Sequence, residues 1–106
     1  PVRTGLTVIA HITAKPGQEE RVRGELLQLV AKTRPEKGCI NYDLHQSLAN
    51  PAEFVMYENW DTSADLDAHA KSAHLQAFGK IASEILERPT AITKWKMVSD
   101  LADANR

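Results

Sequence analysis

The chain reads as an α+β domain of order β-α-β-β-α-β, the ferredoxin-like arrangement in which an antiparallel four-stranded sheet carries helices on one face. Three observations predict it. Segments rich in β-branched residues, LTVIAHITA, CINYDLHQS, EFVMYENW and AITKWKMV, bracket two stretches whose apolar residues recur at spacings of three and four. The two middle segments are separated only by LANPA, a turn cluster containing Asn-Pro, which makes them a hairpin. Neither face of the strands is purely polar, so both faces require cover.

Each element follows from local chemistry. In the first strand Leu6, Val8, Ala10 and Ile12 share one face, and Thr7, Ile9, His11 and Thr13 the other. KPGQEE then breaks the strand and supplies the acidic residues that favour a helix N-terminus. Val22, Leu26, Leu29, Val30 and Thr33 form the buried stripe of the first helix, which RPEKG ends by proline and then glycine. In EFVMYENW, Phe54, Met56 and Trp60 oppose Val55 and Tyr57; in the last strand, Ile92 and Val98 oppose Trp95 and Met97. Between these strands Thr62 is an N-cap with Asp65 three residues on, in the manner of a capping box. Ser72 caps a further helix striped by Leu75, Phe78, Ile81, Ala82 and Ile85, so the helical region breaks near Lys71, and ERPT stops it. One domain over 1–106 is expected, with its core at about 6–98 and a polar tail at 99–106. Helices can cover one face of the sheet, and the same face of a second copy the other, giving a two-sheet barrel in a symmetric homodimer.

Composition excludes several classes. With 106 residues, 42% hydrophobic and 25% charged, the chain suits one soluble core. A net charge of −1 gives no footprint for nucleic acid, whose sequence-independent binding needs many Lys and Arg. The single cysteine, Cys39, cannot form an internal disulfide, which fits a reducing compartment. No apolar run approaches the roughly 20 residues that span a bilayer, and PVRTGLTVIA lacks a leader pattern. The expected location is the cytoplasm, without membrane or nucleic-acid partners. No GxSxG, Walker or GxGxxG pattern occurs, so no bound cofactor is implied.

The chemistry concentrates in YENWDTSADLDAHAKSAH. His69 and His74 are five apart, about 140° on a continuous helix, whereas a metal pair needs one face. His11 and His45 lie on separate strands, and no metal site is expected. Asp65 precedes His69 by four residues, so its carboxylate can fix the imidazole tautomer and raise its basicity; the alternative is a solvated pair on an exposed helix. His74 can serve a ligand or the neighbouring cap. Trp60 is either core packing or a wall of an aromatic-binding cavity. Glu58, a carboxylate among large apolar groups, must be paired, exposed or functional. Tyr42 and His11 are placed to reach a cavity, or are packed in core or interface.

GCINYDLHQS followed by FVMYENWDTSADLDAHAKSAHLQAF resembles the antibiotic biosynthesis monooxygenase domain family, through Gly38, Tyr42, Glu58, Trp60, Leu66, His69, His74 and Phe78. The likeness covers about residues 6 to 98. It implies a dimeric ferredoxin-like α+β barrel and, by likeness to small quinol monooxygenase-like members, oxidation of a quinol or polyketide-like hydroxyaromatic with O2 and no cofactor. Haem-degrading members carry an Asn on the first strand, where this chain offers His11. Spacing and the resemblance together assign catalysis to His69 as base, with Asp65 orienting it from four residues before, and substrate contacts to Trp60, Glu58, Tyr42, Phe78 and His74, with His11 added from its place on the first strand. The competing expectation is a small-ligand-binding or isomerase member of the same barrel family.

Overall fold

A computed structural model describes residues 3–102. Strand β1 (Leu6–Thr13) leads to helix α1 (Glu19–Thr33), then to the hairpin of β2 (Cys39–Gln46) and β3 (Glu53–Trp60), the helices α2 (Ser63–Ala70) and α3 (Ala73–Ile85), and β4 (Ala91–Trp95). The sheet order is β2-β3-β1-β4 and every pairing is antiparallel, as the ferredoxin-like reading expects.

Strand alternation decides which residues meet the helices. Val8, Ala10 and Ile12 of β1 and Phe54, Met56 and Trp60 of β3 are buried on the inner face, where α1 adds Val22, Leu26 and Leu29. The register sets Val8 against Glu58 and Tyr42 against Glu58, so three strands bring those side chains to one patch of the inner face. On the outer face Tyr57, Trp95 and His11 are exposed.

The break between the two late helices falls where it was expected. Thr62 Oγ1 accepts from the backbone N–H of Asp65 at 3.1 Å, and Ser72 Oγ from that of Leu75 at 3.3 Å. Each cap stabilises its helix by about 1 kcal/mol. Of the α3 stripe only Ile85 is fully buried; Leu75, Phe78 and Ala82 are partly exposed because a hollow lies beneath them. The last strand is shorter than its sequence suggests. Trp95 pairs with Thr7, close to the start of β1 at Leu6, so Met97 and Val98 lie beyond the backbone that could pair with them. No helix among the described residues is long and apolar enough to cross a membrane.

Candidate active site

The hollow between the inner sheet face and α2–α3 is a cavity of about 410 Å³. Val8, Ala10, Met56 and Ile92 contribute its sheet side and Leu66, Phe78 and other helix residues its roof. Its walls are mainly apolar, and His69, Glu58, Tyr42, Asp67 and Lys94 bring the chemistry.

His69 stands at the C-terminal end of α2 and is 4% exposed. A buried imidazole needs partners. Its Nδ1 lies 2.7 Å from Glu36 Oε2, and Nε2 of His74 lies 2.8 Å from the same oxygen. An ionised carboxylate only accepts, so both ring nitrogens facing it carry hydrogen. The network thus assigns neutral His69 the Nδ1–H tautomer and leaves Nε2 with its lone pair.

Glu36 is delivered by the turn after α1. Its N–H donates to Thr33 O at 2.9 Å, and its carbonyl accepts from Cys39 N at 3.1 Å. Gly38 closes the turn at φ +79, and its carbonyl accepts from Asp61 N at 2.8 Å, which ties the turn to the start of the helical roof. A Cβ at Gly38 would collide with the Asp65 side chain.

Glu58 is 5% exposed, and its Oε1 accepts from the Trp60 indole N–H at 3.0 Å. Burial pushes its carboxyl up to about 7, against the indole hydrogen bond that favours the ionised form; the negative charge of Glu36 adds to the rise. Tyr42, 3% exposed, is raised well beyond its ordinary value by burial and then by the charge of Glu58.

Glu36, His69 and His74 offer three ligand atoms within 4.8 Å of one another. Their N···O separations of 2.7 and 2.8 Å are those of charge-assisted hydrogen bonds, whereas ligands about 2.05 Å from a tetrahedral zinc stand about 3.3 Å apart. The arrangement is a carboxylate shared by two imidazoles.

A sequence model of the family described as "Antibiotic biosynthesis monooxygenase" matches residues 5–80. The chain belongs to the antibiotic biosynthesis monooxygenase family. It is 34% identical to "Putative monooxygenase Rv0793" of Mycobacterium tuberculosis over 83% of this chain and 86% of the relative. Identity is also 34% to "Probable quinol monooxygenase YgiN" of Escherichia coli, over 77% of this chain and 89% of the relative. Among solved structures, PA3566 from Pseudomonas aeruginosa superposes with a TM-score of 0.87 at 36% identity, covering 93% of this chain and 99% of that one.

Within this antibiotic biosynthesis monooxygenase fold, the residues singled out from the sequence take different stations. His69, Glu58, Tyr42 and Phe78 line the cavity together. Trp60, expected as a wall, stands one layer back with no exposure: its indole lies 4.8 Å from the His69 ring, 6.5 Å from that of Tyr42, and bonds to Glu58. It braces three cavity residues at once. His11 projects from the opposite face of the sheet, because its neighbours Ala10 and Ile12 point inward. Asp65 does not reach His69: its carboxylate accepts from Thr62 Oγ1 at 2.9 Å, within the capping box that the sequence also predicts. The carboxylate on His69 is Glu36. His74 touches that carboxylate from behind and faces a separate groove between α1 and α3. Sequence reasoning missed Glu36, which lies 33 residues from His69 and reads as part of a helix stop.

Proposed function

We propose that the chain is a cofactor-independent monooxygenase oxidising a small dihydroxyaromatic with O2. One observation carries the reading: a mainly apolar cavity holds a buried imidazole whose far nitrogen is fixed by a carboxylate, leaving the other nitrogen basic. The names of the relatives point the same way.

The chemistry asks little of the protein beyond proton removal, orientation and exclusion of water. His69 Nε2 takes a hydroxyl proton, and the Glu36 carboxylate stabilises the imidazolium. The electron-rich anion that remains can itself reduce O2. Bonding of the reduced oxygen to a ring carbon gives a hydroperoxide, and loss of water leaves a carbonyl. In sum, a hydroquinone and O2 yield a hydroxyquinone and water. One oxygen atom enters the ring and the other leaves as water; the substrate supplies all four electrons, through quinone formation and the oxidised C–H carbon. Tyr42, Glu58 and Phe78 position the ring, with Trp60 behind them.

The homodimer belongs to this proposal. Ile9, Val55, Tyr57 and Trp95 lie on the sheet face that the helices leave uncovered, and a second copy laid face to face would cover them. The lone cysteine suits a reducing compartment, so the reading places the protein in the cytoplasm. Lys94 on the cavity lining favours the second reading, binding or isomerisation of a small anionic ligand.

Oxygen uptake by metal-free protein with a panel of dihydroxyaromatics, set against buffer alone, tests the proposal. Uptake above the spontaneous rate that His69→Ala abolishes is expected. Uptake no faster than in buffer across the panel would move the reading to a binder or isomerase.

A further inference from the structure

We propose that His74 is a positioning residue that sets the proton affinity of His69 through their shared acceptor, Glu36 Oε2. The inference goes beyond the oxygenation reading and rests on it only where turnover is the readout.

The geometry is specific. One carboxylate oxygen meets His69 Nδ1 at 2.7 Å and His74 Nε2 at 2.8 Å. The two imidazoles open on different spaces. The His69 side chain is 5% exposed and lines the main cavity, whereas that of His74 is 17% exposed and lines the groove between α1 and α3. One negative charge therefore serves two proton-binding rings whose centroids lie 6.1 Å apart and which border different spaces.

Such a group cannot stabilise two imidazolium ions as well as one. A proton on His74, taken up from the outer groove, consumes much of the carboxylate's field and lowers the affinity of His69 for a second. The two rings titrate as a coupled pair with shared macroscopic steps. Neutral His74 still matters, because its Nε2–H holds the carboxylate oxygen in line with His69.

Other ionisable groups face the pair. Cys39 and Tyr42 come from β2, Glu58 from β3 and Asp67 from α2, while Arg21, Glu25 and Lys32 of α1 border the groove of His74. Burial lifts the Cys39 thiol to about 11 and carries Tyr42 above its ordinary value, so neither ionises near neutral pH. Glu58, at about 7, does, and measurements are therefore repeated in a Glu58→Gln background.

The test is an NMR titration of the imidazoles in the free protein, without substrate. In the wild type, His69 and His74 should each report two shared steps. His74→Gln keeps an N–H donor to Glu36 but no titratable charge. It should leave His69 with one step, displaced upward by as much as about one pH unit, a tenfold gain in proton affinity. Glu36→Gln should lower the midpoints of both rings, which lose their common anion, while direct repulsion between rings 6.1 Å apart keeps them coupled. Midpoints unmoved by Glu36→Gln would overturn the shared-acceptor proposal. Where turnover is measurable, the acid limb of its pH profile in His74→Gln should follow the His69 midpoint without a change in KM. Independent single-step titrations in the wild type would overturn the proposal, and so would a His69 midpoint that ignores His74→Gln. The wild-type arm stands even if the variant fails to fold. Coupling without any oxygen uptake would sink the monooxygenase reading alone.

Discussion

The indole of Trp60 lies 4.8 Å from the imidazole of His69, inclined by 34°, with its N–H committed to Glu58. Trp60→Phe keeps an aromatic ring against His69 and deletes the donor. A hydrogen bond to a charged group contributes about 1.5–3 kcal/mol, and one to a neutral carboxyl about 1 kcal/mol. Urea unfolding should therefore show a larger loss above the Glu58 titration, near 7, than below it. Equal losses on both sides would mean that the indole donor does not distinguish the two forms.

Glu58 makes stability fall as pH rises. Its folded value of about 7 exceeds the ordinary 4.5, so in that window the folded chain holds a proton that the unfolded chain has released. Its contribution is complete below the unfolded value and lost on passing through the folded one. Relative to Glu58→Gln, the wild type should lose about 2 to 3 kcal/mol between about pH 4 and about pH 8. Parallel stability curves for the two proteins would refute this.

Gly38→Ala should destabilise the chain by about 2 to 3 kcal/mol, because its φ of +79 is strained for alanine and the new Cβ meets the Asp65 side chain. Asp65→Ala in the same chain takes the carboxylate out of the collision but keeps a Cβ at position 65, 2.6 Å from the new one, so it should recover part of the steric cost and leave the rest with the φ cost. A double-mutant cycle in denaturant measures that coupling, and additive effects would show that the collision is absorbed elsewhere.

Glu36→Gln keeps the size of the His69 partner and removes its charge. Oxygen uptake should fall by about 10² in kcat, the lower part of the range for acid–base catalysis, with KM little changed. Retention of full kcat would leave the carboxylate without a catalytic share.

Ile9 sits on the central strand β1, pairing with Tyr57 and Thr93 on the uncovered face. Ile9→Asp should convert the proposed dimer to monomer in sedimentation velocity while circular dichroism keeps the strand and helix signals. A wild type that sediments as a monomer at every concentration would dispose of the barrel pairing.

The sequence resolves what periodicity controls and little of what depends on distance in space. Val8, Ala10 and Ile12 declare the inner face by alternation, and Thr62 and Ser72 declare two helix starts by their caps. His69 and Glu58 stand out because a charged or titratable group among apolar neighbours demands a reason. Asp65 illustrates the limit. A spacing of four suggested the partner of His69, but the capping box holds that carboxylate at Thr62, and the true partner arrives from a turn whose residues read only as a helix stop. The depth of Trp60 was equally illegible, since strand parity assigns a side chain to a face without saying whether it borders space or fills it.

The two caps at Thr62 and Ser72 have a last consequence. They divide the cavity roof into helices of 8 and 13 residues, lengths at or below which an isolated helix barely persists in water. Both therefore draw their order from tertiary packing, α2 against β3 and α3 against α1, around the cavity space beneath them. A molecule entering that space would supply the missing underside, so amide hydrogens along this pair of segments should exchange more slowly once it arrives.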